Sequence, residues 1–232
     1  MRRVGHKGAD RIAPGNTPAS FAAALEAGVD MIEFDVLPER APATRLLIAH
    51  DYEDAARREP LTLDEALDYL AGTRFSGVEF DVDLKVPGYE QAVLSALRER
   101  GLLARSLICT QYPRSLVALR ALEPSARLGW SVPKLRRDPF SSRGPKLGAW
   151  LALQIARAGL PARAAAAIGA GHCQALMAHW RLITPRLVRE VNAAGGELYV
   201  WTVDDVDHIR TLQALGVSGV ITNDPRLFAG LV

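Results

Sequence analysis

The most informative stretch of this sequence is Met31-Ile32-Glu33-Phe34-Asp35-Val36, an apolar, strand-type run that carries two carboxylates near its carboxyl end. Similar runs in the first 85 residues end at Gly5-His6-Lys7, Ala49-His50-Asp51 and Asp83-Leu84-Lys85. When several strands each end in a titratable residue, the carboxyl ends of a parallel barrel bring those residues together at one mouth. The pattern therefore predicts a polar site at the mouth of a barrel.

Strand-type and helix-type segments alternate along the chain. The predicted strands are 3–5, 31–36, 46–49, 77–84, 106–110, 127–132, 175–178, 197–203 and 219–222. The predicted helices are 17–27, 63–70, 89–100, 113–122, 185–194 and 206–215. Alternation of this kind predicts helices around a parallel sheet. We expect an α/β protein with a (β/α)8 TIM barrel, formed as a single domain by residues 1–232.

The composition is that of an ordinary soluble domain, with 49% hydrophobic residues among 232 and a net charge of +2. So small a net charge argues against a nucleic-acid partner. Cys109 and Cys173 lack metal-type spacing, and we expect buried free thiols. The sequence shows no signal peptide and no membrane-length apolar run, which predicts a cytoplasmic protein. Its oligomeric state stays open.

One connection is longer than the others and follows the predicted strand 127–132. Its first part carries five basic residues, namely Lys134, Arg136, Arg137, Arg143 and Lys146, and its second part is apolar. A basic stretch before an amphipathic helix is typical of segments that touch anionic lipid. The expectation is a peripheral membrane contact through 134–160, or, more simply, a surface helix that follows a solvated loop.

Three carboxylates are predicted to share one site. Glu33 and Asp35 are two residues apart on a strand, so their side chains point to the same face about 7 Å apart. Asp83 lies near the carboxyl end of the predicted strand 77–84. Such an all-oxygen set suits one divalent cation, Mg²⁺ or Ca²⁺, whose charge would relieve the repulsion between the carboxylates. The alternative is that one carboxylate pairs with Lys85 and another caps a helix.

Two histidines and two lysines complete the predicted chemistry. His6 and His50 follow strand ends, and a histidine titrates near neutral pH, so the two can divide general acid and base duties. Lys7 and Lys85 supply fixed positive charge for an anionic substrate oxygen, as phosphoryl chemistry requires. His179 is a weaker candidate for lining the site.

The motifs of this sequence resemble one known family. They are Gly5-His6-Lys7-Gly8, Pro14-Gly15-Asn16-Thr17, Ala49-His50-Asp51, Asp83-Leu84-Lys85, Trp201-Thr202-Val203 and Gly219-Val220-Ile221-Thr222-Asn223, together with the run around Glu33. They are similar to motifs of the glycerophosphodiester phosphodiesterase family. The resemblance implies a (β/α)8 hydrolase of lipid and glycerol metabolism. Its members use a divalent metal to split glycerophosphodiesters into sn-glycerol 3-phosphate and an alcohol.

The resemblance also implies a role for each candidate residue. His6 and His50 would be the acid–base pair, and the metal would bind to Glu33, Asp35 and Asp83. Lys85 would contact the phosphate, and Trp201 would line the substrate pocket.

The sequence departs from the family pattern at three positions, and these departures suggest two alternative functions. Lys7 replaces an arginine, Gly15 replaces a glutamate, and Asp83 stands where many members have glutamate. An aspartate followed two residues on by lysine resembles sphingomyelinase D-like enzymes. That likeness implies a phospholipase D or lyase that acts on lysophospholipids. The missing glutamate at Gly15 leaves a second alternative, a non-catalytic barrel that binds phosphodiesters.

Overall fold

The computed structural model describes residues 1–41, 45–133 and 147–231. In this part of the chain, eight parallel strands form a closed barrel with helices around it. The strands are β1 (Arg2–Gly5), β2 (Met31–Pro38), β3 (Leu46–Ile48), β4 (Glu79–Leu84), β5 (Ser106–Thr110), β6 (Arg127–Val132), β7 (Ala175–His179), β8 (Glu197–Trp201) and β9 (Gly219–Thr222). All of them except β3 belong to the barrel. The barrel closes because β1 pairs with both β2 and β9. The predicted fold is confirmed.

The helices follow the strands in the expected order. They are α1 (Pro18–Glu26), α2 (Tyr52–Arg57), α3 (Leu63–Leu70), α4 (Glu90–Glu99), α5 (Pro113–Leu122), α6 (Leu147–Gly169), α7 (Pro185–Ala193) and α8 (Val206–Leu215). Threonine side chains cap the first turns of α1, α3 and α7, and α1 and α7 begin with a proline. A threonine side chain accepts a hydrogen bond from a free backbone N–H of the first turn, and a proline at the first position has no N–H to satisfy. No helix of the described residues has the length and apolar character needed to span a membrane.

The interior of the barrel is closed at the amino-terminal ends of its strands. Tyr199 and other buried side chains fill the lower interior. Below them, Glu79 Oε2 lies 2.6 Å from Arg2 Nη1 and 2.9 Å from Arg127 Nη1, and Arg2 also donates to the Tyr199 hydroxyl. The open mouth therefore lies at the carboxyl ends of the strands, as in other barrels of this kind.

The short strand before His50 differs from the others in its direction. β3 is antiparallel to β2, with Ile48 opposite Val36. It pairs with the part of β2 that extends beyond β1, so it lies outside the barrel and runs back towards the mouth. His50 therefore does not reach the mouth as the carboxyl end of a parallel strand. A hairpin brings this histidine to the same place.

One helix is additional to the predicted elements, and one predicted segment lies outside the described residues. Helix α2 was not predicted, although Asp51 caps its first turn through hydrogen bonds from the backbone N–H groups of Glu53 and Asp54. The five basic residues predicted to approach a membrane lie in the segment 134–146, outside the described residues. The helix that follows them, α6, is present.

Candidate active site

A cavity of about 210 Å³ opens at the mouth of the barrel. Six residues that the sequence singles out line it: His6, Glu33, His50, Asp83, Lys85 and Trp201. Asp35 lies next to them and is fully buried. Lys7 is not among the lining residues of this cavity in the described part of the chain. The fold thus brings together seven of the eight predicted site residues.

Glu33, Asp35 and Asp83 form a compact acidic cluster. One carboxylate oxygen of each lies within 4.8 Å of the others, because Asp35 and Asp83 are partners in the β2–β4 register. The Oδ1 atom of Asp83 is buried and accepts no hydrogen bond from the described residues. A buried oxygen without a partner is costly, and a hard cation takes oxygen ligands. The cluster therefore fits a divalent cation of the Mg²⁺ or Ca²⁺ type.

The ammonium group of Lys85 contacts the same cluster. Its Nζ forms an ion pair with Asp35 and lies 2.5 Å from Asp83 Oδ2. The alternative pairing of a carboxylate with Lys85 is thus also present. Burial works against the charge on Lys85, but the three carboxylates raise its pKa well above the ordinary value. Lys85 therefore stays positively charged.

The carboxyl groups of the acidic cluster differ in pKa because burial, repulsion and the nearby lysine act on them unequally. Burial, followed by the charge of Asp35, raises the pKa of Glu33 well above its usual value. Burial opposes ionisation of Asp35 as well, but the neighbouring Lys85, with help from the two histidines and Lys7, holds the pKa of Asp35 far below its usual range. Asp35 therefore stays ionised, and an added positive charge would favour ionisation of Glu33.

Asn16, a residue of the Pro14–Thr17 motif with no predicted role, holds Asp35 in place. Asn16 Nδ2 donates to Asp35 Oδ2 over 2.8 Å, and Asn16 Oδ1 accepts from the Asp35 backbone N–H over 3.2 Å. Asn16 is buried and has a left-handed backbone, with φ of 60°. Asparagine tolerates this conformation better than most residues. An asparagine in the turn Pro14–Thr17 was therefore the feature of the sequence that could have pointed to this position.

His6 is oriented by a second asparagine. Its Nδ1 lies 2.6 Å from Asn223 Oδ1, and Asn223 Nδ2 donates to Asp204 over 2.7 Å. Because Asp204 takes the amide N–H, the oxygen of Asn223 must face the imidazole, which then donates from Nδ1. The other nitrogen, Nε2, is left as an acceptor, 3.8 Å from Glu33 Oε2.

The pKa of His6 is lowered. Burial is the main cause, and the charge of Lys7 adds to it, whereas Asp35 and the Asn223 hydrogen bond oppose the shift. The neutral ring is therefore favoured at neutral pH, in the form required of a general base.

His50 lies on the outer side of the cavity and is about half exposed. Its Nδ1 lies 2.9 Å from Asp51 Oδ2, and its backbone N–H donates to Asp54. Two acidic residues of the α2 start thus hold this histidine at the mouth. His6 and His50 line the same cavity, His6 with 21% and His50 with 51% of the side chain exposed.

Lys7 and Gly15, two of the positions that depart from the family pattern, both contact Asp10. Asp10 Oδ1 accepts from the Gly15 backbone N–H over 2.8 Å, and Asp10 Oδ2 lies 3.9 Å from Lys7 Nζ. A Cβ at position 15 would lie 2.4 Å from Asp10 Oδ1. The carboxylate of Asp10 thus occupies the space beside Gly15. Although position 15 lacks the glutamate of the family motif, the loop still carries an acidic group there.

The opposite wall of the cavity is mostly apolar. It includes Trp201, Met177 and Ile221, and His179 packs edge-on against Trp201 with ring centroids 5.1 Å apart. His179 thus supports the wall and is not itself among the residues that line the cavity.

Asp81 and Cys109 also line the cavity, and no role was predicted for Asp81. Burial raises the pKa of Asp81 to about 7 and that of the Cys109 thiol well above its usual value. Neither residue belongs to the acidic cluster around Asp35.

Comparison with known proteins gives consistent results. The model of the Glycerophosphoryl diester phosphodiesterase family matches residues 6–38 and 80–227. A glycerophosphodiester phosphodiesterase of Caldanaerobacter subterraneus is 23% identical over 99% of this chain and 96% of its own length.

Solved structures share the fold. A putative glycerophosphoryl diester phosphodiesterase from Silicibacter pomeroyi is 22% identical, with a TM-score of 0.76 over 99% of this chain and 92% of that one. A phosphodiesterase from Oleispira antarctica, solved with the product sn-glycerol-3-phosphate, is 20% identical, with a TM-score of 0.70 over 97% and 94% of the two chains.

Proposed function

The chain belongs to the glycerophosphoryl diester phosphodiesterase family, and on this basis we propose that it hydrolyses glycerophosphodiesters to sn-glycerol 3-phosphate and an alcohol. The observation that carries the proposal is the meeting of His6, His50, Lys85 and the acidic cluster in one cavity. The small size of the cavity supports a glycerophosphate group as the part that enters it, since drug-sized ligands need about 300 Å³ or more.

A divalent cation, Mg²⁺ or Ca²⁺, is part of the proposal. Glu33, Asp35 and Asp83 would hold it, and it would offset the negative charge that develops on the phosphate oxygens. The unpartnered Asp83 Oδ1 and the raised pKa of Glu33 support this assignment.

The two histidines divide the proton transfers in this proposal. His6 Nε2 takes the proton of the nucleophile, because its Nδ1 is engaged by Asn223. His50 gives a proton to the oxygen of the leaving alcohol, which is nearer to solvent. The nucleophile is water or the neighbouring glycerol hydroxyl, which would give a cyclic phosphate first.

Two positive side chains would bind the anionic substrate. Lys85 lies in the cavity, where its ammonium group can shift from the carboxylates to a phosphate oxygen. Lys7 would attract the phosphate from a greater distance, because its ammonium group lies beside Asp10 and does not line the cavity. Trp201 would pack against the glycerol or the alcohol.

The test is release of sn-glycerol 3-phosphate from glycerophosphocholine, with lysophosphatidylcholine assayed beside it and with a chelator or added Mg²⁺ or Ca²⁺. We expect cation-dependent turnover of glycerophosphocholine. His6→Ala and His50→Ala should each lower turnover about 10²- to 10⁴-fold while the protein stays folded.

Other outcomes would refute the proposal. Faster release of choline from lysophosphatidylcholine would favour the lysophospholipase D alternative. Absence of turnover together with absence of thermal stabilisation by either cation would favour a non-catalytic barrel.

A further inference from the structure

Helix α6 projects beyond the barrel mouth. It has 23 residues, whereas the other helices that cover the barrel have 8 to 10. Ile168, near its end, packs against Gly196, just before β8. Arg157 Nε donates to the carbonyl of Arg181 over 2.7 Å, just after β7. Position 157 is therefore level with the mouth, and the ten residues before it extend about 15 Å further.

The projecting part of α6 exposes large apolar side chains. Trp150, Leu151 and Ile155 have exposed fractions of 53%, 54% and 66%. At 100° per residue these three positions fall within about 140° of the helix circumference. We call this surface, formed by Trp150, Leu151 and Ile155, the α6 tip. A clustered apolar surface of this kind marks a place where a protein meets a partner or a membrane.

The same sector of the chain is strongly basic. Between Glu123 and Glu190 there are eleven lysines and arginines and a single acid, Asp138, whereas the remainder has seventeen basic and twenty-five acidic residues. The net charge of the whole chain is small because the acidic excess of the remainder offsets the basic excess of this sector. Five of the eleven lie in the segment 134–146, outside the described residues. Of the others, Arg157 lies beside the carbonyl of Arg181 near the mouth, whereas Arg127 pairs with Glu79 at the closed end of the barrel.

From these observations we propose that the α6 tip binds the surface of an anionic lipid bilayer. Tryptophan, leucine and isoleucine insert at the boundary of headgroups and acyl chains, and the excess of basic residues between Glu123 and Glu190 in the sequence attracts anionic lipid. A second copy of the chain is a poorer occupant, because it would bring a like-charged sector against this one. Since the tip extends past the mouth, binding turns the cavity towards the membrane. This proposal is independent of the reaction proposed above.

The test is flotation of the full chain with vesicles of phosphatidylcholine alone and of an equal mixture of phosphatidylcholine and phosphatidylglycerol. We expect binding to the mixed vesicles that weakens at least about tenfold without phosphatidylglycerol, and again when NaCl rises from about 0.05 M to about 0.5 M. The triple variant Trp150→Ser, Leu151→Ser, Ile155→Ser should bind at least about tenfold more weakly.

A matched control uses α5, which also exposes apolar side chains. Val117 and Leu122 are 60% and 44% exposed, and the variant Val117→Ser, Leu122→Ser should bind vesicles as the unchanged protein does. Thermal unfolding checks that both variants are folded. If the triple variant does not fold, Trp150→Phe replaces it, and it should keep binding but lose a vesicle-induced blue shift of tryptophan emission.

Three results would overturn the proposal. The first is equal binding to neutral and anionic vesicles, or to neither. The second is unchanged vesicle binding by the triple variant or, where Trp150→Phe replaces it, an unchanged blue shift. The third is a dimer in sedimentation that the substitutions at the tip convert to a monomer, since the tip would then be covered by a second copy.

Discussion

Asn223 Oδ1 lies 2.6 Å from His6 Nδ1, at the point where β9 ends beside β1. Asp204 fixes the amide of Asn223 from the other side, so the first and last strands of the barrel cooperate to hold one tautomer of one imidazole. The pairing connects barrel closure directly to the proposed base, because the two residues are 217 positions apart in the sequence.

Asn223→Ala tests this relationship. Without the amide, the His6 ring can rotate and change tautomer, so we expect kcat to fall about tenfold to hundredfold, less than in His6→Ala. The lost hydrogen bond also favoured the protonated ring, so the pKa of His6 and the acid limb of the pH profile should shift to lower pH. The control is Asp224→Asn, whose carboxylate pairs with Arg226. Loss of stability with an unchanged kcat and pH profile in Asn223→Ala would argue for a merely structural role.

The pH dependence of kcat/KM should report His6. Its pKa lies below 6.5 because of burial and the neighbouring lysine, and the neutral ring is the active form of a base. Activity should therefore be retained as pH falls from 7.5 to 6.5, and should decline only below the lowered pKa. The measurement is kcat/KM between about pH 4.5 and 8. A half-maximal value at or above pH 6.5 would contradict the assignment.

Lys85→Met should separate cation binding from turnover. The ammonium group contacts Asp35 and Asp83, the same carboxylates that would hold the cation. Removing it should tighten Mg²⁺ or Ca²⁺ binding in calorimetry, because like charges no longer compete for one site. Turnover should fall at least about tenfold, because a charged contact to the phosphate is lost. Asp83→Asn provides the opposite control and should weaken cation binding. Weaker cation binding in Lys85→Met would show that the lysine does not compete.

Gly15→Ala should destabilise the loop through Asp10. The new Cβ would meet Asp10 Oδ1 at 2.4 Å and displace the carboxylate from the Gly15 N–H. A cost of about 1 kcal/mol in the free energy of unfolding is expected. In the double variant Asp10→Ala, Gly15→Ala the two costs should not add fully, since the clash with the Asp10 carboxylate is gone and only the close contact of the new Cβ with Lys7 Cβ, at 2.9 Å, remains.

Gly77→Ala is the control for this pair, because a Cβ there would meet no atom within 4 Å and its backbone is not left-handed. Thermal or denaturant unfolding supplies the measurement. Additive costs in the double variant would show that Asp10 and Gly15 are not coupled.

Much of the fold follows from local pattern. Strand β9 and helix α3 have the bounds that their residues predict, because a short apolar run and a capping threonine act over a few neighbouring positions. The grouping of Glu33, Asp35 and Asp83 was also predictable. Strand period places Glu33 and Asp35 on one face, and parallel pairing of neighbouring strands brings Asp83 beside them.

The sequence alone determined the barrel, its carboxyl-end site and the residue types that point to phosphodiester chemistry. Only the tertiary structure decided that β3 turns back to deliver His50, that Asn223 and Asp204 set the tautomer of His6, and that Asp10 fills the space at Gly15. The reason is physical. Secondary structure and the face of a strand depend on neighbours in the chain, whereas hydrogen bonds between loops depend on how the closed barrel brings distant segments together.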